Sequence, residues 1–91
     1  MESIQASHIL VPSEIAAKEV LAKLKDNGNF AELAALYSSC PSGKHAGGDL
    51  GPFSKGMMVP EFQDAAFALA VGALSEPVET QFGWHLIQRT A

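Results

Sequence analysis

The chain is poor in cysteine, in basic residues and in long apolar runs. Cys40 is the single cysteine, so it has no partner for an internal disulfide and the fold does not depend on an oxidising compartment. A cytoplasmic location is the default expectation. Six Lys and Arg stand against ten Asp and Glu, a formal net charge of -4, which leaves no basic surface to neutralise phosphates and argues against nucleic-acid binding. The longest apolar run, residues 65–71, falls far short of the roughly 20 residues that cross a bilayer, and residues 1–5 have neither the basic cluster nor the apolar stretch of an export signal. Neither export nor membrane insertion is expected. No repeat, linker or low-complexity tract interrupts the chain. Its 91 residues, 47% hydrophobic and 18% charged, suit one self-folding domain.

What is present divides into periodic segments and one long aperiodic stretch. Residues 4–11 end in Ile9-Leu10-Val11, closed by Pro12, and read as a strand in which His8 and Leu10 share a face. Ser13 is placed to cap a helix whose apolar side carries Ala17, Val20, Leu21 and Leu24. Asn27-Gly28 ends it with a left-handed cap, and Asn29 with Glu32 opens a second helix with the stripe Phe30, Leu33, Ala34 and Tyr37. Residues 38–51, rich in Ser, Gly and Pro, predict a long ordered loop with Asp49 bonded into its own turn, followed by a brief strand over 50–54. Pro60 suits the first turn of a third helix carrying Phe62, Ala65, Ala66 and Leu69 on one side, stopped at Gly72. Residues 77–82 and 84–89 read as two strands joined tightly near Gly83. The order strand, helix, helix, strand, helix, strand, strand predicts an α+β domain with helices around a small sheet.

Three segments, Gly47-Gly48-Asp49-Leu50-Gly51-Pro52-Phe53, Met57-Met58-Val59-Pro60-Glu61-Phe62 and Phe82-Gly83-Trp84-His85, bring glycine turns, flexible apolar side chains and a histidine towards one shallow pocket. With Ser7-His8-Ile9-Leu10-Val11 they closely resemble the parvulin family of peptidyl-prolyl cis/trans isomerases over nearly the whole chain. The resemblance implies a four-stranded, antiparallel, curved sheet surrounded by three to four helices, the parvulin or FKBP-like superfold, with substrate lying on the concave side under the long loop. It implies a proline pocket lined by Met58, Phe62 and Phe82 with Leu50 at its rim, and paired histidines, His8 and His85, lying back to back beneath the site. Cys40 matches the position facing the prolyl bond, with Thr80 near it as a hydroxyl partner. No cofactor is implied. Partners are unfolded or flexible polypeptides containing X-Pro bonds, and a monomer is expected.

The residues taken alone also admit plainer readings. Periodicity does not separate a core stripe from a pocket wall, so Met58, Phe62 and Phe82 singly read as core side chains, and each histidine as a satisfied buried residue. A metal site lacks support because His8, Cys40, His45 and His85 have no short ligand spacing. A Cys-His hydrolase has Cys40 and His85 but no recognisable oxyanion motif or orienting Asn, and Gly43-Lys44 lacks the flanking residues of a phosphate loop. A second functional class is a module that holds extended Pro-containing chains without appreciable catalysis; Cys40, Met58, Phe62, His8 and His85 together favour catalysis, since a pure holder has no need of all five. Phosphate-dependent parvulins carry basic residues after the first strand, where this chain has Val11-Pro12-Ser13-Glu14 and no basic residue until Lys18. The expectation is therefore a phosphate-independent enzyme that prefers neutral or apolar residues before proline, with Lys44 and His45 the candidates for contact to an acidic one.

Overall fold

The computed structural model describes residues 3–38 and 48–91. Its elements run β1 (Ser3–Val11), α1 (Glu14–Lys25), α2 (Phe30–Tyr37), β2 (Asp49–Ser54), α3 (Pro60–Ala68), β3 (Val78–Thr80) and β4 (Gly83–Arg89). The four strands form one open antiparallel sheet in the order β2-β1-β4-β3, with three helices among the described residues. The expected α+β architecture is therefore the one observed.

Alternation along β1 and β4 divides the interior into two cores. Ile9, Val11 and Leu86 point to one face, where α1 and α2 cover them with Ala17, Val20, Leu21, Leu33 and Ala34. Ile4, Ala6 and Ile87 point to the other, where Phe62 and Ala66 of α3 meet Phe53. A period of two in the strands thus feeds two layers at once, which is why the central strands are buried on both faces. The caps are as read: the Ser13 hydroxyl accepts from the Ala16 amide at 3.2 Å and the Asn29 side chain from the Glu32 amide at 3.0 Å. Asn27, at φ 65°, supplies the left-handed residue between α1 and α2.

Three boundaries differ from expectation for tertiary reasons. Tyr37 is 43% exposed rather than part of the buried stripe, because Ser38, four residues after Ala34, takes the inward position and its hydroxyl accepts from the Leu10 amide at 3.1 Å. α3 ends at Ala68, before Gly72. The Arg89 guanidinium donates to the Leu69 carbonyl at 2.9 Å, and the Gly72 amide bonds to the Arg89 carbonyl, so the chain is drawn onto the end of β4 before the helix can continue. β3 spans only three residues because Thr80 pairs with Gly83, leaving Gln81 and Phe82 as a two-residue hairpin turn.

On the edge strand β2, Gln5 pairs with Pro52 and Ser7 with Asp49. Two residues, Leu50 and Gly51, therefore oppose Ala6 alone, a bulge of the kind that re-aims a side chain beside a site. Pro52 costs no ladder bond on an edge. The Asp49 carboxylate accepts from the Gly51 amide at 2.9 Å, as the turn reading required.

Candidate active site

The polar floor of the site lies on a diagonal across three strands. Leu10 sits directly opposite His85, and His8 opposite Ile87, so His8 and His85 are diagonal neighbours on one face. Thr80, opposite Gly83 on β3, is the next step of the same diagonal. Diagonal side chains on a sheet are near enough for rings to touch. The two Nδ1 atoms stand 3.0 Å apart, and the Thr80 hydroxyl lies 2.8 Å from His85 Nε2. Both rings are buried, near-parallel at 20°, and Phe62 meets each edge-on, with centroids 5.6 Å from His8 and 5.2 Å from His85.

Proton positions follow from counting donors. The Phe82 amide donates to Thr80 Oγ1, so the Thr80 hydroxyl has one proton left to give. If it donates to His85 Nε2, then His85 carries its proton on Nδ1, donates it to His8 Nδ1, and leaves a single group, the His8 Nε2–H, without a partner among the described residues. The reverse direction leaves both a Thr80 hydroxyl proton and a His8 lone pair unmatched. An unmatched buried polar group costs about 1 to 3 kcal/mol, so the first direction is assigned. It requires neutral rings. Burial lowers the His8 pKa from its ordinary value, and burial, with a smaller contribution from His8, lowers that of His85 to about 4.

Above this floor opens a cavity of about 400 Å³ lined by His8, Leu10, Leu50, Met57, Met58, Val59, Phe62, Phe82 and His85. Of the residues singled out from sequence, His8, His85, Leu50, Met58, Phe62 and Phe82 share this hollow. Thr80 stands behind it as support to His85. Cys40, with Lys44 and His45, lies outside the described residues. Phe62 is at once pocket wall and core, at 3% exposure, whereas Phe82 is 62% exposed at the rim. Sequence reasoning left Leu10, Met57 and Val59 unassigned. The alternation that pairs Leu10 with His8 was the available signal for the first, and adjacency to Met58 for the others.

Backbone fit holds the floor in place. The His8 amide donates to the Gly48 carbonyl at 2.8 Å, and Gly48 has φ +86°. A Cβ there would sit 2.6 Å from the His8 carbonyl oxygen, so only glycine lets the chain pass this close. Among the described residues no charged side chain lines the cavity, and no group of three His, Cys, Asp or Glu is placed to hold a metal. No helix among them is long and apolar enough to cross a membrane.

This geometry has close counterparts. The family model for the rotamase, or PPIC-type PPIase, domain matches residues 8–91. The chain belongs to the PPIC-type PPIase family. The PPIase domain described here is 53% identical over 87 residues to foldase protein PrsA 4 of Bacillus cereus, a match covering 96% of this chain and 31% of that protein. It superposes on the crystal structure of the peptidylprolyl isomerase PrsA from Bacillus anthracis with a TM-score of 0.96 at 46% identity, covering 98% of this chain and 41% of the other. The parvulin NmPin of Nitrosopumilus maritimus matches over its whole domain: TM-score 0.89, 43% identity, 100% of this chain and 98% of that one. The chain thus spans about a third of the length of the curated PrsA relatives it matches.

Proposed function

We propose that this domain catalyses cis/trans isomerisation of X-Pro peptide bonds by non-covalent rotation, assisting the folding of flexible polypeptides without requiring a phosphate before proline. Rotation faces a barrier of about 18 to 20 kcal/mol from amide resonance, while the end states differ by only about 0.5 to 1 kcal/mol. Resonance and its charge separation are largely lost in the twisted transition state. A water-poor apolar hollow therefore disfavours the planar amide more than the twisted one. Lowering the barrier by roughly 5 to 8 kcal/mol accelerates the step about four to six orders of magnitude.

In this reading Met58, Phe62 and Phe82 grip the pyrrolidine and Leu50 closes its rim. His8 and His85 act as neutral positioning groups, each fixing the other's tautomer, with Thr80 anchoring His85. Cys40 supplies a polarised or partly anionic group near the substrate carbonyl, opposing resonance without attacking it. The single observation that carries the proposal is the hollow, apolar along its described lining, seated on the buried His8–His85 pair. The lining also supports phosphate independence, since among the described residues a phosphate finds no Lys or Arg there. A monomer in the cytoplasm, acting on polypeptides rather than nucleic acid, completes the proposal.

The test is exchange spectroscopy on peptides Ala-Xaa-Pro-Phe with catalytic amounts of the domain. Faster cis/trans exchange is expected. Line broadening without faster exchange would leave the alternative, a module that holds Pro-containing segments without turning them.

A further inference from the structure

Residues 54–57 close a turn at the edge of the hollow. The Met57 amide donates to the Ser54 carbonyl at 3.2 Å, and Gly56, at φ 95°, takes the third position of the turn, where a positive φ favours glycine. The Gly56 amide is bonded to the Gln63 side chain of α3 at 2.6 Å, so the turn is tied to the helix behind it. Within the turn the Met57 sulphur accepts from the Ser54 amide at 3.4 Å and from the Ser54 hydroxyl at 3.5 Å. The thioether is thus held beside the cavity it lines instead of sweeping through solvent.

Two adjacent methionines meet different surroundings here. Met58 is half-buried and packs on the core that contains Phe53 and Phe62. Met57 is 64% exposed and packs into neither core of the described residues. A thioether sulphur carries lone pairs that a peroxide attacks, and oxidation turns a flexible apolar side chain into a polar one. At Met58 that change would put a polar group against packed aromatic rings. At Met57 it alters the wall of the hollow and leaves both cores intact.

We propose that Met57 is a modification site: its sulphur takes an oxygen atom from a hydroperoxide, and the resulting sulfoxide weakens peptide binding in the hollow reversibly. A sulphur lone pair forms the new S–O bond as the peroxide O–O bond breaks. The sulphur is oxidised to the sulfoxide while the peroxide is reduced, and the departing oxygen takes the proton of the transferred one, leaving as water when the oxidant is hydrogen peroxide. A peptide that docks against the held side chain then has to strip water from the sulfoxide oxygen, a cost the thioether does not impose. The effect on binding rests on the reading of the hollow as a prolyl-peptide site; the oxidation itself does not.

The experiment treats the wild type and Met57→Leu with graded hydrogen peroxide, then with dithiothreitol, which reverses sulfenic acid or disulfide at Cys40 but leaves methionine sulfoxide in place. Mass spectrometry with fragmentation is expected to show Met57 oxidised several-fold faster than Met58. Affinity for the peptide Ala-Leu-Pro-Phe, read by chemical-shift titration against each protein's own untreated value, should fall about tenfold in the wild type. It should hold constant in Met57→Leu, and methionine sulfoxide reductases should restore the wild type. Melting temperature should stay unchanged, since neither core is touched. Oxidation of Met58 as fast as Met57, or full affinity with Met57 oxidised, overturns the inference. If oxidation weakens binding as stated while the untreated domain accelerates no peptide in exchange spectroscopy, the modification site stands and the isomerase reading falls.

Discussion

Acidification is expected to destabilise the domain through its histidine pair well before most carboxylates titrate. His85 has an ordinary pKa of 6.5 that burial, with His8 beside it, lowers to about 4 in the folded state. The unfolded chain therefore binds a proton that the folded chain refuses, so stability is greatest above about pH 6.5 and falls as pH drops towards 4, below which both states are charged. The full shift corresponds to at most about 3 kcal/mol at 1.36 kcal/mol per unit, of which about 2 kcal/mol is lost between pH 7 and pH 5. His8, whose pKa burial also lowers, adds to the loss in the same direction. Against a total of roughly 5 to 14 kcal/mol for a domain of this size, that is a large share. Urea unfolding at pH 7, 6 and 5 measures it, with His85→Gln as control because the slope against pH, rather than the level, is what the ionisation sets. Equal slopes in wild type and variant, or a His85 that titrates near 6.5 by NMR, would refute the reasoning.

Three other outcomes follow from the same geometry. Thr80→Val leaves the Phe82 amide and His85 Nε2 unpartnered and is expected to cost about 1 to 3 kcal/mol; nitrogen-15 spectra should lose the Nδ1–H form of His85, and unchanged spectra would contradict the assigned proton direction. Gly48→Ala is expected to destabilise by about 1 to 3 kcal/mol and by more than Gly56→Ala, since both have positive φ but only Gly48 has backbone within contact distance; equal melting temperatures would remove the close-approach argument. Phe62→Ala should cost about 3 to 5 kcal/mol because the ring is core as well as wall, so Phe62→Leu is the informative variant. It should stay folded and lose about tenfold in turnover, about 1.4 kcal/mol of barrier, and full turnover by exchange spectroscopy would argue against the wall assignment.

How much was legible in the chain depended on how local the cause was. α1 and α2 were readable because caps and apolar spacing act within a turn or two. The end of α3 was not, because the group that ends it, Arg89, reaches the Leu69 carbonyl from 20 residues away. Tyr37 was misplaced for a similar reason: its slot goes to Ser38, whose partner is the Leu10 amide of β1. In the site, Met58, Phe62 and Phe82 looked like any core stripe, and only the family resemblance set them apart. The Leu50 bulge is invisible to periodicity, as is the diagonal that joins Thr80, His85 and His8, because both exist only once strand registers are set. Met57 shares its segment with Met58, but sequence alone does not say which of two adjacent methionines stays exposed: Met57 is 64% exposed.

The histidine contact joins residues 77 positions apart, from the first and last strands, which lie side by side at the centre of the sheet. Such distant pairing makes folding slow compared with local structure. During synthesis, both β1 and β4 must have left the ribosome before the hollow exists. A domain interrupted before β4 therefore lacks His85, and with it the polar floor on which the hollow is seated.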